Sequence, residues 1–281
     1  MAATPLPARD PALQVIRPRS GWTGFGLSEL WTYRELLAFM TWRIILVRYK
    51  QTLLGVAWAG LQPLLLMVVL TLFFGSFAKK AGVPGPIFFF AGLVPWTFFA
   101  NSVSQSSNSL VGNANLLSKV YFPRLAAPLA AVLATLLDFA IAFGILLVMM
   151  VFYGIYPRPI AVVAVPAFLA LAFVTALGAG LWLSALNVAY RDVQYVVPFL
   201  LQLGLFASGV VFSAATLAEP WRTLLGLDPM AGVVTGFRWA LLDTAPPMAS
   251  MILLSIIVGV ALLVSGAVYF RRMERTFADV V

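Results

Sequence analysis

The sequence predicts an all-α membrane protein with six transmembrane helices, and three observations support this fold class. Of its 281 residues, 62% are apolar and 10% are charged, whereas soluble domains average about 45–50% and about 25%. Six apolar segments reach the ~20 residues that a helix needs to cross the hydrocarbon core. Most Lys and Arg residues lie at the ends of these segments, where their charges remain in contact with water.

Two regions precede the first span. Residues 1–27 are rich in Pro, Gly and Arg and predict a mobile cytoplasmic tail. In residues 28–47, apolar side chains recur every three or four positions, while Arg34 and Arg43 lie off that face. This pattern predicts an amphipathic helix in the membrane interface. A first spanning helix is the alternative, and the four charges between residues 28 and 47 argue against it.

The remaining chain divides into spans and connecting segments, and residues 28–281 are expected to form a single membrane domain. Residues 112–124 predict a short cytoplasmic element. Residues 216–247 are apolar but interrupted by Pro and Gly, so no stretch reaches spanning length. They predict short re-entrant helices that dip in from the extracytoplasmic side. The predicted spans are residues 53–78, 87–111, 125–153, 160–188, 195–215 and 248–270.

The distribution of cations predicts the orientation of the chain. With the spans placed as above, 13 of the 18 Lys and Arg residues fall on the side of the two termini. Lys and Arg are retained on the cytoplasmic side of a membrane. Both termini are therefore predicted to be cytoplasmic. The five residues on the other side are Lys79, Lys80, Arg158, Arg222 and Arg238.

Composition and missing motifs argue against several functions. The chain has no His, the commonest general base and metal ligand, and no Cys. Its cations lie at the ends of apolar runs, which argues against a nucleic-acid partner. A membrane glycosyltransferase commonly needs an acidic metal site, and no Asp-x-Asp is present. A secondary transporter often shows internal repeats and paired broken helices, whereas only one interruption and no repeat is visible.

Two polar features lie within predicted spans. Residues 101–109 are polar except for Val103, and such a run must face other helices or water rather than lipid. Asp138 is an ionisable residue near the middle of the third span, where a charge costs about 2.5–3.5 kcal/mol on insertion scales. Either it lies in a substrate path or gate, or it makes an interhelical contact, for instance with the polar half of the second span.

Five sequence segments are informative in combination: RYKQTLLGVAW with LQP (residues 48–63), FAGLVPW (90–96), NANLLSKVYFPR (113–124), NVAYRDV (187–193) and DPMAGVVTGFRW (228–239). In this order they resemble the type-2 ATP-binding cassette export permeases, and within them the branch that exports lipid-linked polysaccharide. The resemblance covers the chain from about residue 28 to its end. Two positions depart from the family pattern: Gly209 follows Ser208 where Pro is typical, and Asp228 stands where Asn is more usual.

The resemblance implies a bacterial cytoplasmic-membrane permease that works as a homodimer with two nucleotide-binding ATPase subunits. The chain contains no Gly-x-x-x-x-Gly-Lys-Ser/Thr phosphate loop, so ATP and Mg²⁺ are expected on the partner subunit and no cofactor on this chain. The implied substrate is a lipid-linked glycan such as O-antigen or capsule. Within the same family, teichoic acid, a drug or a small lipid are alternative substrates.

The resemblance also assigns roles to residues in three regions. The segment 112–124 would couple to the ATPase, with an Asn as helix cap, cations for acidic partners and aromatic anchors; a plain loop is the alternative. The interfacial helix would provide a second contact. The first and fifth spans would line the transport path and offer aromatic faces to sugar rings. The alternative is that these aromatic residues serve only in packing. The re-entrant helices would form a gate. The candidates are Asn113, Asn115, Lys119, Tyr121, Phe122 and Arg124 for coupling; Glu29, Arg34 and Arg43 on the interfacial helix; Trp58, Gln62, Phe199, Gln202 and Phe206 in the path; and Trp221, Asp228, Arg238 and Trp239 in the gate.

Overall fold

The computed structural model describes residues 27–50, 55–113 and 123–274, and this part of the chain is helical apart from its turns and loops. Residues 1–26, 51–54, 114–122 and 275–281 lie outside the description, and with them the predicted tail and most of the predicted coupling segment. The helices are α1 (Leu27–Thr32), α2 (Arg34–Lys50), α3 (Ala57–Lys80), α4 (Gly85–Gly112), α5 (Ala126–Phe152), α6 (Ala161–Ala189), α7 (Val193–Ala207), α8 (Trp221–Leu224), α9 (Pro229–Leu242) and α10 (Ala249–Met273).

Five of the described helices, α3, α4, α5, α6 and α10, are long and apolar enough to cross a membrane. This confirms the predicted all-α, multi-span fold. The fifth predicted span is shorter than expected: α7 has 15 residues and is about 22 Å long, against about 30 Å of hydrocarbon. It ends because Gly209 has a positive φ of 74°, a conformation that glycine adopts at little cost and that commonly terminates helices.

Helix α4 is the centre of the bundle and packs against α3, α5, α6 and α9. In the apolar stretch of α4, 72% of the residues are buried, against 22–39% of the residues in the corresponding stretches of the other four long helices. Phe88, Phe89 and Phe90 at its amino-terminal end are fully buried. In its polar half, Ser102, Val103, Ser106, Ser107 and Ser109 are buried, whereas Asn108 is exposed. Most of this half therefore faces other helices, as the sequence predicted.

Helix α2 packs along α5 with the apolar face that the sequence predicted. Met40 is buried, and Leu36, Leu37 and Ile44 are partly buried against the same apolar cluster. This cluster also contains the ends of α4, α5, α6 and α10, which identifies one end of the bundle, called here the predicted inner end. The opposite face of α2 is apolar as well: Phe39, Trp42, Leu46 and Val47 are exposed. One face of α2 thus packs on protein and the other suits a lipid surface.

The segment between α7 and α10 contains short helices, as predicted. Helix α9 packs against α4, α6 and α10, and 12 of its 14 residues are buried. Two glycines permit this close approach: a Cβ at Gly236 would lie 2.2 Å from the Phe168 ring, and one at Gly232 would lie 2.4 Å from Ser255 Oγ. Helix α9 is therefore an internal element at the other end of the bundle, called here the predicted outer end.

Candidate transport path and buried clusters

The five residues predicted to line a path lie on α3 and α7, and all are exposed in the single chain. On α3, Trp58 and Gln62 are one turn apart. On α7, Phe199, Gln202 and Phe206 follow at spacings of three and four, which places them on one face of the helix. Because these aromatic rings are exposed, they do not form part of the core of this chain.

The exposed faces of α3 and α7 do not converge within one chain. The two helices meet through Phe74 and Phe206, whose ring centroids are 6.4 Å apart. Phe74 follows Trp58 by 16 residues, so the two side chains point about 160° apart around a regular helix. Trp58 and Gln62 therefore face away from the side of α3 that α7 contacts. Within the described chain, a path between the two faces is not enclosed.

A cluster of four polar side chains joins α2, α4 and α5, and we call it the Arg48 cluster. The Arg48 guanidinium donates to the Asp138 carboxylate and to the Gln105 side-chain oxygen, and the Tyr49 hydroxyl donates to Asp138. Burial, together with the hydrogen bond to Asp138, raises the pKa of Tyr49 to about 12. Tyr49 therefore remains a neutral donor at pH 7, and the Asp138 carboxylate accepts from two groups of α2, the Arg48 guanidinium and the Tyr49 hydroxyl.

Two sequence expectations concern the Arg48 cluster. Arg48, counted among the cations on the side of the termini, precedes α3 and forms an ion pair with Asp138 midway along α5, a partner that the sequence did not predict. For Asp138, the observed contacts are those of the interhelical interpretation. Gln105, its neighbour in the cluster, belongs to the polar half of α4, as that interpretation expected.

Further hydrogen bonds connect the polar half of α4 to α5 and α6. Ser102 Oγ lies 2.6 Å from Thr135 Oγ1. The Asn187 side-chain amide donates to the carbonyl oxygen of Ser107 at 3.0 Å and to Asn108 Oδ1 at 3.1 Å. The hydroxyl-rich run therefore serves in helix packing, because hydrogen bonds between helices satisfy polar groups that would be unpaired in lipid.

The predicted gate residues do not form one site. Asp228 is the N-cap of α9, and its carboxylate accepts from the Met230 N–H at 2.9 Å. Burial raises the pKa of Asp228 to about 6, although the Met230 hydrogen bond opposes this shift. Trp239 is partly buried in the core, whereas Trp221 on α8 is exposed. Arg238 follows Asp228 by 10 residues, which is about 15 Å along α9.

Arg238 is buried among backbone carbonyl groups, and we call this set the Arg238 cluster. The side chain is on α9, with a relative exposure of 3%. Its Nε donates to the carbonyl of Phe88 on α4 at 3.0 Å. Its terminal nitrogens donate to the carbonyls of Gly209 at 2.8 Å, Phe212 at 3.1 Å and Val210 at 2.5 Å, just beyond α7. Arg238, which the sequence placed among the cations on the outer side, is therefore buried inside the bundle, at its predicted outer end.

The predicted coupling region is described only at its margins. Asn113 follows the last turn of α4, where its backbone N–H bonds to the carbonyls of Leu110 and Val111. Asn113 therefore directly follows the end of α4, and the segment that it was predicted to cap lies outside the described residues. Arg124 donates to the carbonyl of Glu274 at the end of α10. The expected residues Asn115, Lys119, Tyr121 and Phe122 lie outside the described residues.

The residues expected on the interfacial helix are not grouped into one site. Glu29 lies on α1. Arg34 is exposed, donates to the Trp31 carbonyl at 3.4 Å, and lies 5.6 Å from the Trp31 ring centroid. Arg43 is exposed on α2. Both arginines are therefore accessible in the single chain, as a contact with a partner subunit requires.

Sequence reasoning missed the partners of the arginines in both clusters. Arg48 and Asp138 are 90 positions apart, and the carbonyls around Arg238 belong to two other segments. One signal was present for Arg238, because it is a lone cation in the apolar run VVTGFRWALL. A cation in such a run is expected to face the protein interior with partners. Its partners could not be named, since every residue offers a backbone carbonyl.

The fold and these clusters define a multi-span membrane protein whose internal helix α9 is fixed by hydrogen bonds to its neighbours. The sequence matches the ABC-2 type transporter family over residues 35–242, so the chain belongs to this family and is a membrane permease. It is 32% identical over 254 residues to the O-antigen export system permease protein RfbA of Myxococcus xanthus, covering 89% of this chain and 97% of that relative.

Other relatives are more distant. An O-antigen export system permease protein RfbA of Klebsiella pneumoniae is 25% identical, with 88% of this chain and 95% of that protein aligned. The polysialic acid transport protein KpsM of Escherichia coli is 22% identical, with 71% of this chain and 78% of that protein aligned.

Proposed function

We propose that the chain is the permease subunit of an ATP-driven exporter that moves a lipid-linked polysaccharide, such as O-antigen, across a bacterial cytoplasmic membrane. The observation that carries this proposal is the 32% identity over nearly the full length of a relative named as an O-antigen export permease. The resemblance of five ordered segments to the polysaccharide branch of the family supports the same substrate class. A capsule-type polysaccharide is a second candidate, favoured by the relative named for polysialic acid transport.

A separate ATPase subunit provides the energy in this proposal. The sequence contains no phosphate loop, so ATP and Mg²⁺ bind to the partner subunit. This ATPase subunit is present in two copies per exporter. The predicted coupling segment, residues 112–124, connects the end of α4 to the start of α5 at the predicted inner end. Exposed Arg34 and Arg43 on α2 provide further positive charge there. Acidic groups on the ATPase would be their partners.

A second copy of the chain completes the transport path. The exposed faces of α3 and α7 carry Trp58, Gln62, Phe199 and Phe206, and one chain does not enclose them. Exposed aromatic rings can contact the apolar faces of many sugars without requiring one sequence. A homodimer would place two such sets of rings around a shared path, with lipid covering the remaining apolar surface.

The proposed orientation has both termini in the cytoplasm. The cations at the ends of the spans support it, since Lys79, Lys80, Arg158 and Arg222 are on the predicted outer side and more cations are on the other side. Labelling of a cysteine introduced near each terminus, from each side of the membrane, would test this orientation directly.

Affinity purification of the chain from its native membrane in mild detergent tests the proposed function. We expect an ATPase subunit to accompany it in a one-to-one ratio, together with lipid-linked glycan detectable by mass spectrometry. If no ATPase is recovered even after cross-linking, the proposal of an ATP-driven exporter is wrong. The substrate class is tested by producing this chain and its ATPase in a bacterium that lacks its own O-antigen permease. If an ATPase is recovered in the purification but O-antigen export is not restored in that bacterium, the substrate assignment is wrong.

A further inference from the structure

Helix α7 has little apolar packing to fix its position. Val197 and Leu205 are its buried residues, and its described neighbours are α4 and α6, with Phe74 of α3 in contact near its end. Gly204 approaches α4 closely, because a Cβ at this position would lie 2.8 Å from the Trp96 ring. A helix with so few buried side chains needs another interaction to define its position.

The chain just after α7 provides such an interaction. The backbone turns at Gly209, and the following residues Val210 and Val211 are buried at 0% and 6% exposure. Buried carbonyls without a donor are costly. Arg238 donates to three carbonyls of this turn and, through Nε, to that of Phe88 on α4. One guanidinium therefore connects the end of α7 to the amino-terminal end of α4.

The surroundings of Arg238 are shaped for a planar guanidinium. Its Cζ lies 3.6 Å from the centroid of the Phe88 ring, a cation–π geometry. Gly92, one turn further along α4, leaves space for it, since a Cβ there would lie 2.6 Å from Nη2. Among the described residues Arg238 forms no ion pair with a carboxylate. Lysine has the same charge but lacks the planar fork that reaches several acceptors.

We propose that Arg238 is the positioning residue that fixes the outer end of α7 against α4 and thereby sets the shape of the outer end of the transport path. The consequence for the path rests on the proposed function, because it assumes that the exposed face of α7 lines it. The contact itself does not depend on substrate or ATPase. Loss of the guanidinium fork releases the turn after α7 while the rest of the bundle remains folded.

Thiol accessibility tests this inference on the full-length chain in lipid nanodiscs. The natural sequence has no Cys, so an introduced cysteine is the sole reactive thiol. V211C reports on the buried turn, and S184C, a near-isosteric change at a fully buried position of α6, reports on the remainder of the bundle. Each is combined with R238K, with G92A, which displaces the guanidinium, or with R158K, which changes an exposed arginine paired with Asp243.

We expect a polar maleimide to label V211C at least about tenfold faster in R238K and G92A, because the orphaned carbonyls open the turn to water. Labelling of V211C in R158K and of S184C in all three variants should be unchanged. Unchanged V211C labelling in both R238K and G92A would overturn the inference. Equal acceleration at S184C would also overturn it, since Arg238 would then support the whole bundle. Neither result bears on the proposed function, which the purification experiment tests separately.

Discussion

The Arg48 and Arg238 clusters lie in opposite halves of the bundle, and their cations are satisfied in different ways. Arg48 pairs with the Asp138 carboxylate, whereas Arg238 donates to four backbone carbonyls. Their contacts on α4, Gln105 and Phe88, are 17 residues apart, or about 25 Å along the helix. Both clusters thus connect the central helix to less buried elements, α2 in one case and the end of α7 in the other.

The two clusters differ in how readily their residues can be replaced. A buried ion pair can be exchanged for two apolar side chains at little or no net cost, because both charges disappear together. The partners of Arg238 are backbone groups, which no substitution removes. The Arg48 cluster should therefore tolerate a paired change, and the Arg238 cluster should tolerate none that removes its fork of donors.

The largest effect is expected for R238A. Four buried carbonyls lose their donor at about 1–3 kcal/mol each, so we expect the free energy of unfolding to fall by about 4 kcal/mol or more. The fraction of monodisperse protein after graded heating in detergent measures this loss. R158A is the matched control: its exposed ion pair with Asp243 should contribute no more than about 1 kcal/mol. Similar losses in both variants would refute the special role of Arg238.

A smaller loss is expected for D138A, which leaves Arg48 without its carboxylate. Removing one partner of a buried pair costs about 3–5 kcal/mol, and the partial exposure of Arg48 places the expected value near the lower limit. The double variant R48M/D138L should be more stable than D138A, since neither charge remains. A double-mutant cycle on the same heating assay measures the coupling. If the double variant is instead the least stable, the Arg48 cluster does not tolerate a paired apolar replacement, and the expected difference between the two clusters is absent.

Charge reversal at the predicted inner end should affect activity rather than folding. In K119E/R124E, we expect substrate-stimulated ATP hydrolysis by the assembled exporter to fall at least about tenfold, because like charges would meet at the ATPase contact. Arg124 also donates to the Glu274 carbonyl, so K119E alone must show part of the effect. R158E, at the predicted outer end, provides the control. Normal stimulation in the double variant would exclude residues 112–124 as the coupling segment.

The smallest effects are expected at Asp228. D228A removes the N-cap of α9 and should cost about 1 kcal/mol, whereas D228N retains an acceptor for the Met230 N–H. Burial raises the pKa of Asp228 from 3.8 to about 6, so the folded state binds the proton more tightly than the unfolded state. The carboxyl group therefore lowers stability as pH rises from about 4 to about 6. D228N should gain stability relative to the natural protein over that interval; a pH-independent difference would contradict the assignment.

The extent of each span was largely predictable, since local composition carries it. The predicted spans at residues 87–111 and 125–153 correspond to α4 (Gly85–Gly112) and α5 (Ala126–Phe152). The short α7 was not predicted, because the turn at Gly209 occurs within a run that remains apolar. Apolar composition shows that a segment avoids water, but it does not distinguish a helix from a buried turn whose carbonyls find a donor elsewhere.

By itself, the sequence determined the class of protein: its hydropathy specifies membrane helices, its cations predict an orientation, and its ordered segments identify the family. Only the tertiary structure decided the partners of Arg48, Asp138 and Arg238, and which side of α3 contacts α7. The physical reason is the separation along the sequence of the groups that interact. Hydrophobic burial and helix periodicity depend on neighbours within a few turns, whereas the two arginine clusters join groups that are 26 to 150 positions apart.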